Sequence, residues 1–130
     1  MINKPLFSAV PSAPHVPTVT NPTSNSIHLN WTAPSDDGGA PVLGYYVERS
    51  TNESDRWLRI NRDMLGRLQY DQSDLIEGTT YQYRIVAVNK KGDSAPSEPS
   101  PPYVCKPQIG MLPAWYYEIK KYYKICFFLI

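Results

Sequence analysis

The sequence predicts an all-β protein: a seven-stranded antiparallel sandwich, followed by a C-terminal tail that does not belong to the domain. Three observations lead there. The 13 prolines all lie at or before Pro41 or at or after Pro96, which leaves the 54 residues from Val42 to Ala95 free to form central strands. Within and just ahead of that window, apolar and polar residues alternate at period two. Before Met111, no window of about eleven residues combines a 3.6-residue period with helix caps.

Taken in chain order, the first strong strand is Ser26 to Thr32, with Ile27, Leu29 and Trp31 on its inward face. The turn Pro34-Ser35-Asp36-Asp37-Gly38-Gly39 ends that section of chain. Tyr45 to Arg49 then points Tyr45 and Val47 inward, and weaker strands are expected over Trp57 to Ile60 and Arg67 to Tyr70. After a turn at Glu77-Gly78, the run Tyr81-Gln82-Tyr83-Arg84-Ile85-Val86-Ala87 places Tyr81, Tyr83, Ile85 and Ala87 on one face. Asn89-Lys90-Lys91-Gly92 closes it with another turn.

Length and composition narrow the function. At 130 residues there is room for one domain and a short remainder, not for a multidomain enzyme. With 13 Lys+Arg against 12 Asp+Glu, the chain sets up no strong field to draw nucleic acid or an anionic membrane, so neither is expected as a partner. Cys105, Cys126, His15 and His28 cannot make a disulfide framework or a typical zinc site. No Gly-x-Ser-x-Gly, dinucleotide fingerprint or phosphate loop occurs, so no enzyme activity and no cofactor are expected. As the sequence stands, its first residues are too short of apolar length for a secretion signal, and no segment is long enough to span a bilayer.

An ordered set of motifs resembles a fibronectin type III domain, a member of the immunoglobulin-like sandwich class. The set runs from Trp31 through Asp37-Gly38-Gly39-Ala40-Pro41, Gly44-Tyr45-Tyr46-Val47-Glu48, and Leu75 with Tyr81 six residues later, to Gly92-Asp93-Ser94-Ala95-Pro96-Ser97. The resemblance implies a linker over residues 1–10, a type III domain over 11–106 and an atypical tail over 107–130. It implies a structural core of Trp31, Tyr45, Val47, Leu75, Tyr81, Tyr83 and Ile85, with the Tyr81 hydroxyl bonding back to backbone near Leu75 to Gly78. Trp57 with Arg59-Ile60-Asn61, and the Asn-x-x-Gly-x-Ser-x-Pro-Ser close, are similar to the type III modules of titin, twitchin and myosin-binding protein C. That likeness implies a non-catalytic spacer and protein-binding module, a fragment of a sarcomeric protein in the cytoplasm. Its partners would be thick-filament proteins such as myosin, with immunoglobulin or type III domains as chain neighbours. Adhesion receptors use similar motifs, so the alternative is an ectodomain module that meets cell-surface proteins.

Two segments are candidate contacts. Arg56, Trp57 and Arg59 place an aromatic among arginines on an edge strand or its loop, the composition of interface anchors. The plainer reading is that Trp57 caps the open edge of the core while the arginines lie over apolar surface. Lys91, Gly92 and Asp93 form a hairpin loop like the integrin-binding loop of fibronectin, but the favoured reading is a plain turn built around a positive-φ Gly92. Asp36-Asp37 reads as turn chemistry, His28 as a surface residue, and the sequons Asn30-Trp31-Thr32 and Asn52-Glu53-Ser54 do not settle the compartment.

From Pro107 onward the composition changes, ending in Ile125-Cys126-Phe127-Phe128-Leu129-Ile130. Cys126 is one position too early for a prenylation box. The segment has three readings: an interaction segment, a weak membrane-surface helix with Lys120, Lys121 and Lys124 beside aromatic residues, or, the favoured one, a disordered stretch or intron read-through. If expressed, its apolar end is an aggregation hazard.

Overall fold

The computed structural model describes residues 7–105. The tail expected over 107–130, and the start of the 1–10 linker, lie outside the described residues.

Eight strand segments follow in order: β1 Thr18–Thr20, β2 Ile27–Asn30, β3 Gly44–Thr51, β4 Leu58–Arg59, β5 Gln69–Gln72, β6 Thr80–Asn89, β7 Gly92–Asp93 and β8 Tyr103–Val104. They form two antiparallel sheets, β1-β2-β5 and β4-β3-β6-β7, with β8 also pairing β6. Because β7 and β8 pair the two ends of β6, they are two pieces of one edge strand, and the architecture is a seven-stranded sandwich.

Proline chemistry explains the interruption. Between β7 and β8 the chain reads Ser94-Ala95-Pro96-Ser97-Glu98-Pro99-Ser100-Pro101-Pro102, and the prolines have no N–H to offer a ladder. Ser94, Ser97 and Ser100 keep the contact instead. Their backbone N–H groups donate to the carbonyls of Ala87, Ile85 and Tyr83 at 2.7–2.8 Å. In return the N–H groups of Ala87, Ile85 and Tyr83 each donate, at 2.9 Å, to the hydroxyl of the matching serine. Three residues of the edge thus advance along two residues of β6, so an x-Pro pair bulges out at each step. An edge so built resists pairing with another strand.

The core lies between the sheets. Ile27, Leu29, Trp31, Tyr45, Val47, Leu75, Tyr81, Tyr83, Ile85 and Ala87 pack as one buried cluster, joined by Cys105. Trp31 meets Tyr45 edge to face with ring centroids 5.7 Å apart. The Tyr81 hydroxyl accepts the Ile76 N–H at 2.9 Å, which ties β6 to the turn before it.

Three local departures from the sequence pattern have physical causes. Trp31 lies one residue beyond β2, its N–H still held by the Leu68 carbonyl, which carries the β2–β5 pairing one step past the strand ends; β5 runs from Gln69 rather than Arg67, and Leu68 is exposed. Beside β3, buried Asn61 acts as a substitute strand residue: its Oδ1 accepts the Val47 N–H and its Nδ2 donates to the Tyr45 carbonyl. Ala9, within the stretch read as linker, donates its N–H to Gly38 and receives a hydrogen bond from Asn89 Nδ2. Gly38 permits this approach, since a Cβ there would sit 2.2 Å from the Ala9 carbonyl oxygen.

Candidate functional site

The side chains that alternate outward from β3 and β6 build a polar surface joined by ion pairs. Glu48 on β3 faces Arg59 on β4 and Arg84 on β6. Arg84 Nε donates to Glu48 Oε1 at 2.7 Å, and Arg59 Nη2 reaches Glu48 Oε2 at 3.4 Å. The same Arg59 nitrogen donates to Asp93 Oδ2 on β7 at 3.0 Å.

Both guanidiniums stand over aromatic rings. The Arg84 carbon Cζ stands 4.4 Å from the Trp57 ring centroid, and that of Arg59 stands 4.0 Å from the Tyr46 centroid. The result is a ladder that crosses the whole four-stranded sheet: Trp57, Arg84, Glu48, Arg59, then Tyr46 and Asp93. Burial works against the Arg59 cation, but the hydrogen bonds and charges of Asp93 and Glu48 outweigh it and hold its pKa above the ordinary value.

The two candidate segments of the sequence therefore meet. Trp57 and Arg59 enter the ladder, and Asp93 of the Lys91-Gly92-Asp93 loop is its far end. Trp57 is half-buried beneath Arg84, while Arg56 is exposed and uses its backbone N–H on Ser54 Oγ. Lys91 is exposed at the turn, its N–H held by Asn89 Oδ1, and Gly92 takes φ 133°. Glu48, Arg84 and Tyr46 were not singled out from the sequence. Their signal was the outward phase of two strands whose inward phase was clear, with opposite charges at matching positions.

The remaining candidates are structural. Asp36 and Asp37 each accept, at 2.8 Å, the N–H two residues on, from Gly38 and Gly39, which makes consecutive Asx turns. His28 lies on the outer face of the smaller sheet, its Nδ1 hydrogen bonded to Asp71. Asn30 sits mid-sheet between Thr18 and Gln69, whereas Asn52 occupies an exposed tight turn with φ 52°. Among the described residues, no group of three His, Cys, Asp or Glu side chains is placed to hold a metal ion, and no helix is long and apolar enough to cross a membrane. The ladder offers fixed cations and aromatic faces, which suits recognition; no nucleophile is paired with a base in it.

Comparison with known proteins agrees with this architecture. Human slow-type myosin-binding protein C is 44% identical over 94 residues, covering 72% of this chain and 8% of the relative. Mouse cardiac-type myosin-binding protein C is 43% identical over 95 residues, covering 73% and 8%. The chain thus spans about 8% of the length of these curated relatives. Among solved structures, titin domains A168–A170 superpose with a TM-score of 0.71 at 37% identity, covering 76% of this chain and 33% of that one. The description "Fibronectin type III domain" matches residues 12–103, and this chain belongs to the fibronectin type III family.

Proposed function

We propose that this chain is a non-catalytic structural module of a modular sarcomeric protein, spacing its neighbours and binding protein partners through the outer face of β4-β3-β6-β7. The observation that carries the reading is 44% identity with slow-type myosin-binding protein C across the domain. By analogy, its location is the cytoplasmic sarcomere, its partners are thick-filament proteins such as myosin, and its chain neighbours are immunoglobulin or type III domains. The domain is taken as residues 11–106, extended back to Ala9 by its bonds to Gly38 and Asn89. Arg56, Trp57 and Arg59 are the proposed contacts; no cofactor is required.

The test is immunolocalisation with an antibody against residues 11–106, on sectioned muscle and on unpermeabilised cells of the source organism. Striated labelling seen only after permeabilisation is the expected result. Labelling of intact cell surfaces would overturn it and make the exposed Asn52-Glu53-Ser54 sequon and the Lys91-Gly92-Asp93 loop the sites to pursue.

A further inference from the structure

The ladder is not saturated. Among the described residues, Arg84 commits only its Nε, to Glu48, and neither of its Nη groups is hydrogen bonded or shut away from solvent. Arg59 commits only Nη2, shared between two carboxylates, which leaves Nη1 and Nε without acceptors among the described residues. Each guanidinium carries five N–H donors in a planar fork matched to a carboxylate. Here both guanidiniums already stand over aromatic rings, Trp57 and Tyr46, and each is hydrogen bonded to a carboxylate, so less side-chain freedom remains to be lost on binding.

We infer that the outer face of β4-β3-β6-β7 is a receptor for an acidic protein segment, whose carboxylates take the free edge of Arg84 and replace Asp93 on Arg59. This rests on the partner-binding reading above and names the chemistry of the partner. Three observations favour carboxylates. Both acceptors the ladder already uses, Glu48 and Asp93, are carboxylates. Asp93 is the exchangeable one: its side chain is 47% exposed against 14% for Glu48, and it lies on the two-residue β7 at the sheet edge. Exposed Arg56 next to Trp57 in sequence and exposed Lys91 two residues before Asp93 place further cations near the two ends of the ladder. With a net charge of +1, the chain as a whole lacks the field that would favour a long polyanion over a short, fitted acidic segment.

The test is a titration of the 130-residue chain with a hexaglutamate peptide, followed by the arginine Nε–Hε resonances. The expected result is saturable shifts at Arg59 and Arg84 with little change at Arg62 and Arg67. Arg84→Lys, which keeps the charge and loses the fork, should weaken the peptide about tenfold. Asp93→Asn, which removes the internal competitor, should tighten it. Shifts spread evenly over all arginines, an Arg84→Lys variant that binds as well as the parent, or inorganic polyphosphate producing the same site-specific shifts more strongly than the peptide would each overturn the proposal. Cosedimentation with native thick filaments separates the two readings. Filament binding that Arg84→Lys leaves intact sinks the carboxylate receptor alone, whereas no filament binding by the parent chain sinks the partner reading itself.

Discussion

Arg59 on β4 and Asp93 on β7 are joined at 3.0 Å across the full width of a four-stranded sheet, the guanidinium passing over Tyr46 to reach the opposite edge. Both side chains are substantially exposed, so the bond is worth little on its own; a double-mutant cycle with Arg59→Ala and Asp93→Ala should give a coupling of about 0.5 kcal/mol. Urea unfolding at low and high salt checks this, with the coupling shrinking as salt rises. A coupling that is unaffected by salt would mean the two side chains act through packing on Tyr46 instead.

The serine edge should matter more than the salt bridge. Ser97 is buried and its hydroxyl is the acceptor for the Ile85 N–H, which sits in the middle of β6. Ser97→Ala removes the acceptor and strands a buried amide, at a cost of about 1–3 kcal/mol. The denaturation midpoint should fall with the m-value unchanged, and Ile85 amide exchange should speed up more than that of Val47, which keeps its acceptor on Asn61.

Tyr81 supplies a similar test at the other end of β6. Its hydroxyl is the acceptor for the Ile76 N–H, and Ile76 itself is exposed, so the aromatic ring does the packing and the oxygen fixes the turn. Tyr81→Phe keeps the ring and should cost about 1–2 kcal/mol by urea unfolding, whereas Trp31→Ala, which empties the core, should cost about 3–5 kcal/mol and leave the domain close to unfolded.

The inward faces of the strands were legible in the sequence because burial enforces period two, and Trp31, Tyr45, Val47, Tyr83 and Ile85 all sit in phase. Tyr81 shares that phase, and the resemblance added the bond its hydroxyl makes to the turn before it, whereas Leu75 was legible through family resemblance rather than periodicity. What stayed hidden depends on contacts between distant residues. The ladder needs Glu48, Arg59, Arg84 and Asp93 on four different strands, and nothing local marks an outward Arg84 as the partner of Trp57. Asn61 was hidden for the same reason, since its side chain imitates backbone and its sequence context reads as loop. The serine spacing of three was visible in the sequence, but period three matches neither a strand nor a helix, and only the β6 ladder gives it meaning.

The core cluster holds two buried polar atoms without a hydrogen-bond partner among the described residues, Trp31 Nε1 and the Tyr83 hydroxyl. Tyr83 is fully buried, and its hydroxyl has no hydrogen-bond partner among the described residues. Burial pushes its pKa well above the ordinary value of 10.0, and burial likewise raises those of Tyr45, Tyr103 and Cys105. Each group stays protonated in the folded state where the unfolded chain would lose its proton. The folded state therefore binds more protons above the unfolded values of 9.0 for the thiol and 10.0 for the phenols, and stability falls as pH rises through that range. Below about pH 8 these groups contribute no slope. Two outcomes follow for Tyr83→Phe. At neutral pH it removes an unpaired buried hydroxyl and should leave stability unchanged or raise it by about 1 kcal/mol. Above pH 10 it removes the most strongly shifted group, so the loss of stability with pH should be shallower than in the parent. Urea midpoints measured from pH 7 to pH 11 check both, and a variant that is less stable at pH 7 would show that the hydroxyl does have a partner, such as a buried water.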